Sequence, residues 1–313
     1  MMQFLAPISI SKYTFPVVGF ACLFLWILFR DGSDWSSLLA GLLLSGCVVY
    51  LIAELNNRNA LLRNGSRMIS CMIAVLLTAI VQLHPFSVSH LLLVLFLISI
   101  HTFCRTVLKK SPLLSFITYF ILSCISLYYP KILFIVPIYW VCQVYTKSMS
   151  DKCFIASLLA LFTPYWLGLG YLIYFDDYQL IAERLTALFT FSLPDYGSVT
   201  FIRLVQFVYV IAVLSVGIVD FYKNQYQDKS RVRMIYMSFI IQSFFFFFLL
   251  ILQPQDFYLV LPLLMIYASI MCGHFFALTY TKFSHITSLV FLFVSVLVFF
   301  LSINSELFDL WNH

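Results

Sequence analysis

Residues 175–198 read FDDYQLIAERLTALFTFSLPDYGS and form the longest polar interruption in a chain that is otherwise mostly apolar. The 313 residues are 63% hydrophobic and only 10% charged, with a mean hydropathy of +1.00. A soluble domain carries about 25% charged residues, whereas a membrane span needs about 20 apolar residues. We therefore expect membrane spans on both sides of this segment, within a single transmembrane helical domain that covers residues 1–313.

Apolar runs separated by polar turns predict an all-α integral membrane protein with about eleven transmembrane helices. The second run also carries Ser37, Gly41 and Ser45 at i, i+4 and i+8, a small-residue face that another helix can approach closely. The predicted spans are residues 14–29, 36–53, 68–84, 87–103, 112–128, 131–145, 153–174, 199–220, 234–252, 257–280 and 286–303.

The distribution of Lys and Arg predicts the orientation of these spans. If the N-terminus is cytoplasmic, only Arg30, Lys131, Arg184 and Arg203 of the 18 basic residues fall in outer segments. Because basic residues concentrate in cytoplasmic loops, this alternation places the N-terminus inside and the C-terminus outside. Residues 175–198 are then the longest segment on the outer side.

Within that segment, residues 178–193 have the pattern of an amphipathic helix. Ile181, Leu185, Leu188 and Phe189 recur at i, i+4, i+7 and i+8 and form one apolar face. Such a helix would lie in the outer interface or re-enter the bilayer. It could be a passive connector, or a lid or wall over a groove for a lipid substrate.

Four acidic residues on the predicted outer side are our candidate catalytic residues: Asp31, Asp34, Asp176 and Asp177. Paired carboxylates can act as a general base or bind a divalent cation. Asp176 and Asp177 could bind a metal ion that coordinates a pyrophosphate. Asp34 would equally suit the N-cap of the second helix. No other cofactor is evident.

Polar residues inside the predicted spans are few. No Asp, Glu, Lys or Arg falls at mid-depth, which argues against an ion-coupled transporter but leaves open a passive path lined by Gln206, Gln242, Ser243 and His274. The eight cysteines include no CxxC pair and predict neither disulfides nor a zinc site. Nucleic acid is not an expected partner, since the chain has no soluble basic domain to hold it.

Three short segments carry a resemblance to a known family: ELNNRN at 54–59 followed by LLR at 61–63, SLYYP at 126–130, and LFTPYW at 161–166. They resemble a family of uncharacterised multi-spanning inner-membrane proteins of Bacteroidota bacteria, over roughly residues 50–170. The resemblance implies a multi-pass protein of the bacterial inner (plasma) membrane, whose outer side is the periplasm.

A second resemblance rests on the acidic first outer loop, residues 30–35, and on the number of spans. Both features resemble those of the multi-spanning glycosyltransferases that use polyprenyl-phosphate sugars. The first outer loop is shorter here than is usual in that family. The resemblance implies a catalytic role for an acid such as Asp31 or Asp34 on the periplasmic face.

The sequence thus leaves three functions open. The first is the handling of a lipid or lipid-linked substrate in envelope biogenesis, with chemistry or capture at the outer acids. The second is a non-catalytic scaffold or subunit of a larger complex, whose grooves dock partner membrane proteins. The third is a passive transporter. Membrane lipids are expected partners in all three.

Overall fold

The computed structural model of the chain describes residues 11, 13–28, 34–174, 196, 199–279 and 281–303. Over these residues the chain is helical and has no strands, and its α-helices are joined by short turns and 3-10 segments. The helices are α1 (Thr14–Leu28), α2 (Trp35–Asn59), α3 (Met68–Ala79), α4 (Val88–Thr106), α5 (Pro112–Tyr128), α6 (Val136–Tyr145), α7 (Asp151–Tyr174), α8 (Phe201–Asn224), α9 (Ser230–Leu252), α10 (Phe257–Leu278) and α11 (Lys282–Ile303).

Seven helices in this part of the chain are long and apolar enough to cross a membrane: α2, α4, α7, α8, α9, α10 and α11. The shorter apolar helices α1, α3, α5 and α6 coincide with the other predicted spans. The prediction of an all-helical membrane protein is therefore confirmed. The number of spans and their orientation remain predictions.

The described helices form two compact units, each assembled from separate stretches of the chain. Unit one comprises residues 1–93, 195–229 and 254–313, and unit two comprises residues 94–194 and 230–253. Unit one thus holds α1, α2, α3, α8, α10, α11 and the beginning of α4. Unit two holds the rest of α4 with α5, α6, α7 and α9.

In unit one, α10 is the central helix and packs against α3 and α8. Its most apolar stretch is 94% buried, compared with 33% for α2 and 28% for α11. A helix that is apolar on all sides is expected to be surrounded by protein in this way. α10 therefore sets the positions of the helices around it.

Three glycines allow close backbone approach inside unit one. A Cβ on Gly217 of α8 would lie 2.5 Å from the carbonyl carbon of Met271 in α10, and one on Gly273 of α10 would lie 2.7 Å from Cα of Ile69 in α3. Gly41 of α2 similarly contacts the backbone of residues 84–86. The Phe86 N–H also donates to the Ser37 carbonyl of α2 (3.0 Å). The small-residue face predicted on α2 therefore packs against a turn rather than against a helix.

Unit two brings together two of the segments on which the first family resemblance rests. The Ser123 hydroxyl donates to the Leu161 carbonyl (2.7 Å), and the Ser126 and Tyr165 hydroxyls are hydrogen-bonded (2.8 Å). These bonds join α5 to α7, the most extensive helix pair of this unit. The two segments therefore act in helix packing.

Candidate functional site

Of the candidate catalytic and interfacial residues, only Asp34 lies in the part of the chain that the structure describes. It is exposed and forms the N-cap of α2, with an extended backbone and no capping hydrogen bond from its side chain. Its carboxylate is thus open to solvent at a helix N-terminus. The remaining predicted residues lie outside the described residues: Asp31, Asp176, Asp177, Ile181, Leu185, Leu188 and Phe189.

A long apolar groove with a volume of about 360 Å³ lies between α8, α10 and α11 of unit one. The wall formed by α8 runs from Leu204 to Val216, and the wall formed by α11 runs from Thr287 to Val298. Val208 and Val290 on opposite walls are 56% and 54% exposed, so the groove is open along its length. The bilayer would be in contact with this opening, since all three helices are long enough to be spans.

The groove presents almost only hydrocarbon to its interior. Of its lining residues, only Tyr209, Cys272 and Thr287 carry a polar side-chain atom. The Tyr209 hydroxyl is hydrogen-bonded to Ser295 (2.7 Å), and the Thr287 hydroxyl donates to the Phe283 carbonyl (2.8 Å). Since neither hydroxyl needs a ligand, the groove suits an apolar guest.

A buried group of charged side chains lies at the end of unit one where α8 and α10 end. Its centre is His274 of α10, whose side chain is fully buried. The His274 Nε2 atom lies 3.0 Å from Oδ2 of Asp228, which follows α8, and Nδ1 lies 3.9 Å from Oδ2 of Asp220 in α8. We call Arg63, Asp220, Asp228 and His274 the charge cluster.

Asp220 is held by neighbours on two elements. Its Oδ1 atom accepts hydrogen bonds from Asn224 Nδ2 (2.7 Å), one turn further along α8, and from the Thr279 hydroxyl (3.0 Å), just after α10. Because two donors already satisfy Oδ1, the carboxylate is fixed in place while Oδ2 faces His274. Asp220 thus links the ends of α8 and α10.

Arg63 reaches the cluster from the turn between α2 and α3. Its Nε lies 3.1 Å from Asp228 Oδ1, and its Nη2 donates to Gln227 Oε1 (3.1 Å). The turn is held by Asn56, whose side chain donates to the Ser66 carbonyl (2.9 Å) and accepts from Leu62 N–H (3.2 Å). Asn56, from the first resemblance segment, therefore positions Arg63.

The charge cluster is suited to linking neighbouring elements of the fold rather than to catalysis. Both nitrogens of His274 face carboxylates, and its side chain has no exposed surface through which a substrate could reach it. The half-exposed guanidinium of Arg63 offsets part of the charge of the two carboxylates, which lowers the cost of burying them. It joins the α2–α3 turn, the α8–α9 turn and the end of α10.

The polar residues that were predicted to line a passive path are buried in both units. In unit one, Gln206 Nε2 donates to Gln82 Oε1 (2.9 Å) and Ser302 Oγ (3.0 Å), which ties α8 to the α3–α4 turn and α11. In unit two, Ser243 donates to the Ile240 carbonyl of its own helix (2.7 Å). At least Gln206, Ser243 and His274 therefore have packing partners that account for their burial.

No group of three or more His, Cys, Asp or Glu side chains within the described ranges is arranged to hold a metal ion. The charge cluster is no exception, since each imidazole nitrogen faces a different carboxylate. In comparisons with known proteins, the chain matches no family model, no curated protein and no solved structure.

Proposed function

We propose that this protein binds a lipid or lipid-linked substrate in the bacterial inner membrane and takes part in envelope biogenesis, with the hydrocarbon chain of that substrate in the groove between α8, α10 and α11. The apolar groove carries this proposal. Its lining offers no polar group that requires a partner, and its open side would face the bilayer, where hydrocarbon chains are the available guests.

The length and lining of the groove suit a hydrocarbon chain. From Leu204 to Val216 the wall formed by α8 is about 18 Å long, at 1.5 Å per residue. The groove has a volume of about 360 Å³, and its lining is almost wholly apolar. An apolar partner helix would compete for the same open face, and the measurement of bound lipid below distinguishes the two.

Filling the groove is expected to remove bound lipid. Val208→Trp places an indole in the middle of the groove, at a position already 56% exposed, so that the core need not rearrange. We expect the lipid that co-purifies with the protein to fall about tenfold, which corresponds to about 1.4 kcal/mol of lost packing. Mass spectrometry of lipids extracted from the detergent-purified protein measures this.

The matched control is Val144→Trp on α6, a valine that is 63% exposed and does not line this groove. It makes the same chemical change to an exposed position of unit two and should leave the bound lipid unchanged. Equal lipid content in the wild type and Val208→Trp would contradict the proposal. Equal losses in both variants would show a general effect of an added indole.

The outer acids remain our candidates for any chemistry on the bound substrate, in a glycosyltransferase-like reaction. Asp34→Asn should change the free energy of unfolding by less than about 1 kcal/mol, because the side chain is exposed, forms no capping hydrogen bond, and a charge at a helix N-terminus is worth about 0.3–1 kcal/mol. If Asp34 is catalytic, this variant should be produced normally and fail to complement a deletion strain. Full complementation would remove Asp34 from the candidates.

A further inference from the structure

Hydrocarbon packing alone selects weakly among membrane lipids. Lipid tails are as apolar as the leucines they would contact, so a tail gains little transfer free energy when it moves from the bilayer into a groove. A protein that prefers one lipid must therefore recognise its head group. The ends of the groove are where a head group would lie.

One end of the groove continues along α8 to a lysine. Lys223 follows Val216 by seven residues, which is two helical turns on the same face and about 10.5 Å further along the axis. Lys223 is exposed, and its ammonium forms no ion pair or hydrogen bond with the described part of the chain. Its flexible side chain can extend back toward the end of the groove.

The acidic neighbour of this lysine is already engaged. Asp220 lies one turn before Lys223, and its carboxylate accepts hydrogen bonds from Asn224 and Thr279 and faces His274. Asp228 is likewise engaged by His274 and Arg63. Lys223 interacts electrostatically with Asp220 without forming an ion pair, so its exposed ammonium is still available to a ligand at the mouth of the groove.

We infer that the groove selects an anionic phospholipid, with the acyl chain between α8 and α11 and the phosphate head group at Lys223. This inference rests on the proposed function and adds the head-group class and the end of the groove at which it binds. Arg63 contacts Gln227 just after α8, so the Lys223 end of the groove lies near the C-terminal end of α2. Asp34 lies at the N-terminal end of α2 and therefore at the opposite end of unit one. On the predicted orientation it is the cytoplasmic end, where basic residues attract anionic lipids.

The test compares two lipids on the full-length protein in nanodiscs made of equal amounts of phosphatidylglycerol and phosphatidylcholine. Native mass spectrometry then counts the lipids that stay bound. We expect the wild type to retain phosphatidylglycerol over phosphatidylcholine about fivefold, the preference that one lysine near a head group can give. Lys223→Gln should bring the ratio close to one without lowering the total number of lipids retained.

Lys229→Gln is the control, because Lys229 is also exposed and its substitution makes the same change in charge beyond the end of α8. It should keep the wild-type ratio. An unchanged ratio in Lys223→Gln, or an equal loss in Lys229→Gln, would overturn the inference. If Val208→Trp lowers lipid retention while Lys223→Gln does not alter the ratio, only this inference fails. If Val208→Trp retains as many lipids as the wild type, the proposed function itself fails.

Discussion

Asp228→Ala is expected to lower the free energy of unfolding by about 1–3 kcal/mol, the cost of leaving a buried hydrogen-bonding group without its partner. The Asp228 side chain is 1% exposed and contacts both His274 and Arg63. Its removal leaves the fully buried imidazole without its closest partner. Thermal unfolding of the purified protein in detergent, followed by size-exclusion chromatography of the soluble fraction, measures the loss.

An exposed ion pair in the same unit supplies the control. Glu54 and Arg58 pair one turn apart on α2, with side chains 25% and 56% exposed. Glu54→Ala should therefore cost less than about 1 kcal/mol. Equal losses of stability in the two variants would show that burial does not govern the contribution of the charge cluster. Replacing both Asp228 and His274 by leucine should recover part of the loss, because the buried imidazole is then no longer left without its closest partner, and Asp220 keeps its hydrogen bonds from Asn224 and Thr279.

Gly217→Ala is expected to destabilise unit one by about 1–3 kcal/mol, the usual cost of forcing extra atoms into a packed interior. The added methyl would lie 2.5 Å from the carbonyl carbon of Met271 and 2.7 Å from the backbone nitrogen of Cys272. Backbone atoms of a buried helix cannot move aside as a flexible side chain could. α8 would have to separate from α10 along their whole contact.

Gly46→Ala in α2 should have the opposite sign. A Cβ at Gly46 has no neighbour within 4 Å, so only the higher helix propensity of alanine remains, which is worth about 1 kcal/mol. The two variants make the same change in a helix interior and differ only in what the methyl meets. If both stabilise the protein in thermal unfolding, the α8–α10 contact is looser than the structure shows.

The existence and order of the helices could be predicted from the sequence, because each apolar run is long and bounded by turn residues. The run predicted at 112–128 is α5, and the run at 234–252 is the greater part of α9 (Ser230–Leu252). In lipid, an apolar run has to satisfy its backbone hydrogen bonds internally, so helix follows almost directly from hydropathy.

The ends of the helices were predicted less well, because local interactions determine them. α2 was predicted to end at 53 and continues to Asn59, since Glu54 and Arg58 extend the helix into polar sequence. The span predicted at 68–84 changes to a 3-10 turn, Val81–Leu83, after Ala79. The span predicted at 131–145 begins with the 3-10 segment Pro130–Ile135, and α6 follows from Val136.

The charge cluster could not be predicted from one sequence, because its members come from three distant stretches. Arg63 lies in a turn, Asp220 and Asp228 flank the end of α8, and His274 lies in α10. One signal was present: a histidine in a helix that is apolar on all sides must find a polar partner. The sequence could not show which acid that partner is, and the groove likewise depends on how three helices pack.

The division of the chain between the two units has a consequence for biosynthesis. Unit two is complete once residue 253 has been made, whereas unit one lacks α10 and α11 until the ribosome has passed residue 303. Domains generally fold as units during synthesis, so the unit that starts later along the chain finishes first. Until α10 is made, α3 and α8 lack the central helix between them. A chain that ended before Phe257 would leave Ile69 of α3 and Gly217 of α8 without the α10 backbone that they contact.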